Sequence, residues 1–206
     1  NAHLVAQLDV LLNFAHIAIK NEYVKPEINE GFVLDIKGGR HPVIEQNLPA
    51  GEVYITNDVY LDSESQQMMI ITGPNMAGKS TFLRQNALIV LLAHIGSFVP
   101  AASAVIGPID RIYKMVRRTL TLREIGRRTQ VATSGFDDVV VWNPWEDKCA
   151  ALADMPAERR LAMATNERAR PKTLFATHYH ELTDLADAIP GVVNAHVTAR
   201  EWKDDI

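Results

Sequence analysis

Hydrophobic positions along the chain follow two different periods. Leu4, Leu8, Leu11, Leu12, Ala15 and Ile19 recur every three or four residues, which predicts an amphipathic helix over residues 2–20. No side chain with obvious chemistry sits on that stripe, so it reads as a packing surface. Phe32 to Ile36 alternates like a short strand and runs into a Gly38-Gly39 turn. Residues 47–67 are rich in turn formers and polar groups and read as an ordered loop. Met68 to Thr72 is an unbroken apolar run of strand length, the look of a strand buried on both faces in a parallel sheet. Residues 79–95 follow as a helix that is apolar almost all round, hence buried. Residues 173–177 read as a second buried strand after the breaker Pro171, 181–187 as a short helix, and 192–199 as a last strand. Strands alternating with helices indicate an α/β domain with a largely parallel sheet. Residues 111–170 have another texture: they are arginine-rich, lack a clean period and contain the run VVVWNPWED.

Composition narrows this frame. The 206 residues, 47% of them hydrophobic, suffice for one good core or one domain plus an appended piece. A net charge of -4 gives no global attraction to nucleic acid or to an acidic membrane surface. The single cysteine, Cys149, cannot form an internal disulfide, which fits a reducing compartment. The opening NAHLVAQLDV lacks the basic leader of a signal peptide. The longest apolar run, Ala87 to Ala93, is far short of the roughly 20 residues of a membrane span. The expectation is a cytoplasmic globular domain.

One segment changes the picture. Gly73-Pro74-Asn75-Met76-Ala77-Gly78-Lys79-Ser80 matches the phosphate-loop pattern G-x-x-x-x-G-K-S/T, between an expected strand ending at Thr72 and an expected helix starting at Lys79. Each residue type has a physical reason. Glycines allow the tight turn that aims successive N–H groups at one anion. The helix N-terminus adds partial positive charge behind it. Lys79 brings a full charge to the β and γ phosphates, and the Ser80 hydroxyl ligates Mg²⁺. The segment predicts a site for ATP or ADP with Mg²⁺.

Beyond the loop, TGPNMAGKSTFLRQNALIVLLAHIGSFVPA closely resembles the ATPase domain of the DNA mismatch repair family MutS. So do GGRHPVIE at 38–45, NDVYLD at 57–62 and TLFATHYHELTDL at 173–185. The resemblance covers residues 1–113 and 171–206. It implies a P-loop NTPase of the ABC-ATPase type, with a mostly parallel sheet flanked by helices. Residues 1–25 would end a preceding helical lever or core region, and 26–206 would be an ATPase domain incomplete at its C-terminus. It also implies a partner ATPase subunit, most simply a homodimer, and mismatched DNA held by domains outside this chain. A downstream repair protein of the MutL type, a cytoplasmic, nucleoid-associated location and no membrane complete the expectation. Gly73 to Ser80, with Thr81, would bind the nucleotide. Tyr54 stands where the family stacks an aromatic on adenine, or is a half-buried loop tyrosine. His178 matches a switch histidine that senses the γ-phosphate. His178 and His180 lack a third ligand nearby for zinc. Arg40-His41-Pro42 reads as a structural brace.

Residues 114–170 depart from the family. Residues 114–119 are too few to hold its signature helix. Leu120 to Arg127 stands in the place of the Walker B strand, with Arg123 in the slot of the aspartate that orients Mg²⁺. Two like unit charges about 4 Å apart at an effective dielectric of 20 repel by roughly 4 kcal/mol. Glu124 matches the general base that activates water, or is a surface carboxylate paired with arginines. Gly135-Phe136-Asp137-Asp138 resembles the aromatic-Asp-Gly stretch after the family's D-loop. The cluster Arg111, Lys114, Arg117, Arg118, Arg123, Arg127 and Arg128 is a DNA patch or a solvated face. Trp142 and Trp145 are a stacking platform or packing groups. Two functions from different classes follow: an ATPase, or a module that binds ATP without hydrolysing it. An unrelated P-loop phosphotransferase is a third option, for which no acceptor site or lid is recognisable.

Overall fold

The computed structural model describes residues 1–74, 77–109, 172–177 and 183–198, and the backbone of 112–117 and 137–142. The chain divides into two compact units, residues 1–60 with 84–109 and residues 61–83 with 110–206.

The first unit opens with α1 (Ala2–Lys20), the helix expected from the leucine spacing. Its stripe, however, is not covered: Leu4, Leu8, Leu11, Leu12 and Ile19 are all exposed, and Ala18 alone of the helix is buried. Among the described residues this is also the one helix long and apolar enough, by length and composition, to cross a membrane. It contains no long unbroken apolar run because Asp9, Asn13 and His16 interrupt it without lowering its mean hydropathy much.

Strands β1 (Glu27–Ile28), β2 (Leu34–Gly39), β3 (Asn57–Leu61) and β5 (Ser103–Ile106) form a sheet in the order β1-β5-β2-β3. β1 runs parallel to β5 and β2 antiparallel to it. β2 does not stop at the expected glycine turn. Gly38 takes φ +58 while its N–H donates to Asp58 Oδ1 at 2.8 Å, and the Lys37 carbonyl accepts from Ala102 N–H, so the strand carries on through both glycines. β3 lies inside the region read as loop. Its asparagine and aspartate look like turn residues, but Val59 and Leu61 alternate with Asp58 and Tyr60, and both are buried.

Between β2 and β3, the short helix α2 (Pro42–Gln46) is capped by His41. Its Nδ1 accepts from the N–H groups of Val43 and Ile44, each at 3.3 Å. Burial, and then the Arg84 charge, lower the His41 pKa, and the neutral ring is the form that can accept both bonds. Arg40 pairs with Glu45 at 2.8 Å and donates to the carbonyls of Asn21 and Glu22, bracing the end of α1.

The second unit is built on β4 (Met68–Thr72), every residue of which is buried. With β6 (Ile112–Arg117), β7 (Asp137–Trp142), β8 (Lys172–Ala176) and β9 (Val192–His196) it forms a sheet in the order β6-β7-β8-β4-β9. β4 is parallel to both neighbours, β8 and β9, as its unbroken apolar run predicts. The sheet is nonetheless mixed, because β7 is antiparallel to β6 and to β8. The expectation of a mostly parallel sheet failed on β6 and β7, which lie in the stretch whose pattern could not be read. Met68, Ile70 and Val192 form a buried cluster, with Phe175 of β8 and Leu185, Ala186 and Ile189 of α4 (Leu185–Ala188) and its end packed against it. The β3–β4 connection is held by Asp62, whose carboxylate accepts from the N–H groups of Glu64, Ser65 and Gln66 and from the Ser65 hydroxyl.

α3 (Lys79–His94) begins in the second unit and continues into the first. It ends where expected: Gly96 takes φ +85, its N–H donates to Ala93 O, and Ser97 N–H donates to Leu92 O, a Schellman closure.

Candidate functional site

The parallel strand β4 delivers the chain to a tight turn, and α3 carries it away. Gly73 takes φ +146 and Gly78 φ +90, both in the half of conformational space where a side chain is strained. A Cβ on Gly73 would also lie 2.6 Å from the Val197 carbonyl oxygen, so the root of the loop sits hard against the end of β9. Among the described residues nothing lies within 4 Å of that position on Gly78, which leaves the backbone there accessible to an anion on their side.

Lys79 folds back over this turn. Its ammonium donates to the carbonyl oxygens of Gly73 at 2.6 Å and Pro74 at 2.9 Å, and only 6% of the residue is exposed. Burial lowers its pKa from the ordinary lysine value. The first helical turn is closed by Phe82 N–H bonding Gly78 O at 2.9 Å, and it places the half-buried Ser80 and Thr81 beside the loop. A helix start offers N–H groups and the positive end of its dipole to whatever sits in front of it. A cationic group, a hydroxyl and open glycine backbone at the head of a helix fit a phosphate anion and its metal ion.

The second unit thus brings together Gly73, Pro74, Ala77, Gly78, Lys79, Ser80 and Thr81. Asn75 and Met76 lie outside the described residues, as do Glu124, His178, His180, Arg123 and Trp145. Thr177, just before His178, donates its N–H to Ile71 O at 3.0 Å, so the chain leaves β8 beside the end of β4. Among the described residues no group of three or more His, Cys, Asp or Glu side chains could hold a metal ion.

Tyr54 belongs to the first unit. It is half-buried, and its hydroxyl donates to Gln85 Oε1 at 2.9 Å. Burial raises its pKa above the ordinary phenol value. Gln85 has no exposed surface, and its Nε2 has no hydrogen-bond partner among the described residues. A Cβ on Gly39 would lie 2.7 Å from that nitrogen, so the glycine leaves room for the amide. Sequence reasoning missed Gln85, and also Thr72 and His196, whose side chains meet at 3.1 Å beside the loop. No spacing in the sequence points to the latter pair: the expected last strand runs on past His196 to residue 199, whereas the strand ends at His196.

Comparison with known proteins decides the family. The family model MutS domain V matches residues 69–131. The DNA mismatch repair protein MutS of Flavobacterium psychrophilum is 44% identical over 236 residues, covering 100% of this chain and 25% of the relative. The chain belongs to the MutS family. The MutS proteins of Cytophaga hutchinsonii and Bacteroides thetaiotaomicron are 45% and 46% identical, each covering 98% of this chain and 25% of the relative. The chain therefore spans about a quarter of the length of these MutS relatives. The F. psychrophilum alignment runs over 236 positions against the 206 residues here, so the relative carries residues that this chain lacks.

Proposed function

We propose that this chain is the ATP-binding and ATP-hydrolysing module of a DNA mismatch repair protein, an ABC-type P-loop domain whose nucleotide state controls dimer closure and the DNA-bound state. The observation that carries the reading is Lys79 resting on the Gly73 and Pro74 carbonyls, at the junction of a buried parallel strand and a helix. On nucleotide binding Lys79 exchanges those two neutral acceptors for β- and γ-phosphate oxygens, which are charged and hold it more strongly. Ser80 would offer its hydroxyl to Mg²⁺, and the loop residues, with Asn75, Met76 and Ala77 among them, would bind the phosphates. Bound Mg-ATP supplies the phosphoanhydride bond whose hydrolysis separates two conformational states.

The remaining roles rest on resemblance. Tyr54 is proposed as the adenine contact, Glu124 as the base that takes a proton from water, and His178 as the sensor of the γ-phosphate. Residues 1–25 are proposed as the end of a preceding helical region. A second copy of the ATPase, mismatched DNA bound through other domains and a MutL-type protein are the proposed partners, in the cytoplasm.

A second reading has its own support. By the resemblance, Arg123 falls in the Walker B aspartate slot and 114–119 are too few for the signature helix, and the alignment with one relative is longer than this chain. Those facts favour a module that binds ATP without turning it over. Phosphate release from Mg-ATP, measured against Lys79→Ala over a range of protein concentrations, separates the two. Concentration-dependent turnover lost in the variant supports hydrolysis by a dimer, binding without turnover supports the second reading, and turnover independent of Lys79 overturns both.

A further inference from the structure

The end of β9 and the root of the glycine loop are joined by more than sheet pairing. Val197 N–H donates to the Thr72 carbonyl at 2.9 Å. The Thr72 hydroxyl lies 3.1 Å from His196 Nδ1 and 3.4 Å from the Ala195 carbonyl oxygen. A hydroxyl has one proton to give: directed at Ala195 O, it leaves an oxygen lone pair for a proton on His196 Nδ1. One residue on, Gly73 presses its side-chain position against Val197 O, and its own carbonyl accepts from Lys79. A continuous series of contacts thus runs from His196 through Thr72 and Gly73 to Lys79.

We propose that His196 is a positioning residue for the phosphate loop: its bond to Thr72 fixes the peptide that enters the loop and so sets where the Lys79 ammonium rests. The proposal rests on the reading of Gly73 to Ser80 as the triphosphate site. The His196 side chain is not required to keep β9 in the sheet, because backbone pairing from Met68 with Val192 to Thr72 with His196 already fixes the register. What the imidazole adds falls on the last residue before the turn, where glycine would otherwise let the backbone wander. A preorganised loop binds its anion without first having to be ordered.

The test is Mg-ATP titration of the chain and its variants. His196→Ala is expected to weaken binding by roughly fivefold to tenfold, the worth of one polar contact. His196→Asn, whose side-chain N–H also branches at Cγ, restores most of the affinity. In a Thr72→Val background His196→Ala adds no further loss, and Thr72→Val alone reads the same bond from the other side should His196→Ala fail to fold. Native affinity in both single variants, or a full second loss in the double variant, overturns the proposal. Lys79→Ala in the same titration keeps the two failures apart. If it abolishes binding while His196→Ala binds as the native chain does, the positioning role alone falls. If Lys79→Ala binds normally, the site itself has been misread.

Discussion

Gly73 turns its side-chain position onto the carbonyl oxygen of Val197, close enough that a Cβ there would lie 2.6 Å away. Both the contact and the φ of +146 exclude a larger residue. Gly73→Ala therefore forces either β9 or the loop to move. A loss of stability of about 1–3 kcal/mol is expected from the strain, together with weakened Mg-ATP binding, and chemical denaturation alongside titration checks both.

Tyr54 and Gln85 separate a structural role from a nucleotide one. Tyr54→Phe removes the donor to a buried amide oxygen and should cost about 1–3 kcal/mol of stability, with Mg-ATP affinity unchanged because the ring remains. Tyr54→Ala should in addition weaken Mg-ATP binding roughly tenfold, as loss of a stacking surface does. Unchanged affinity in Tyr54→Ala would mark it as a packing residue only.

Lys172 makes stability depend on pH. Almost wholly buried at the start of β8, it is pushed down to about 8 by desolvation. The folded state gives up its proton more readily than the unfolded chain, so the group's contribution is fully present above the unfolded value of about 10.4 and is lost as pH falls through 8. The stability of the native chain relative to Lys172→Met should therefore rise between about pH 8 and 10.4. Urea denaturation of both proteins at several pH values measures it, and a difference independent of pH contradicts the assigned burial.

Much of the fold and of the site was legible in the sequence where a single period or pattern dominated. Met68 to Thr72 reads as a doubly covered parallel strand because its first four residues are all apolar, with no alternation, and β4 indeed has parallel neighbours on both sides. The glycine loop was legible because its residue types are dictated by backbone geometry. β3 was hidden by Asn57 and Asp58, which look like turn residues, and the path of β2 by Gly38, which reads as a turn glycine but takes its φ of +58 within the strand. Antiparallel β7 could not be read, since direction depends on tertiary pairing and not on local pattern. Contacts such as Thr72 with His196 join residues 124 positions apart, beyond the reach of spacing rules.

The central claim is that Lys79 and the loop it closes form a triphosphate site. Equilibrium titration of the chain with Mg-ATP, native against Lys79→Ala, tests it most directly. Saturable binding by the native chain, weakened at least tenfold to a hundredfold by loss of the charged donor, is the expected result. Equal affinity in the two proteins, or no binding by the native chain, would contradict it.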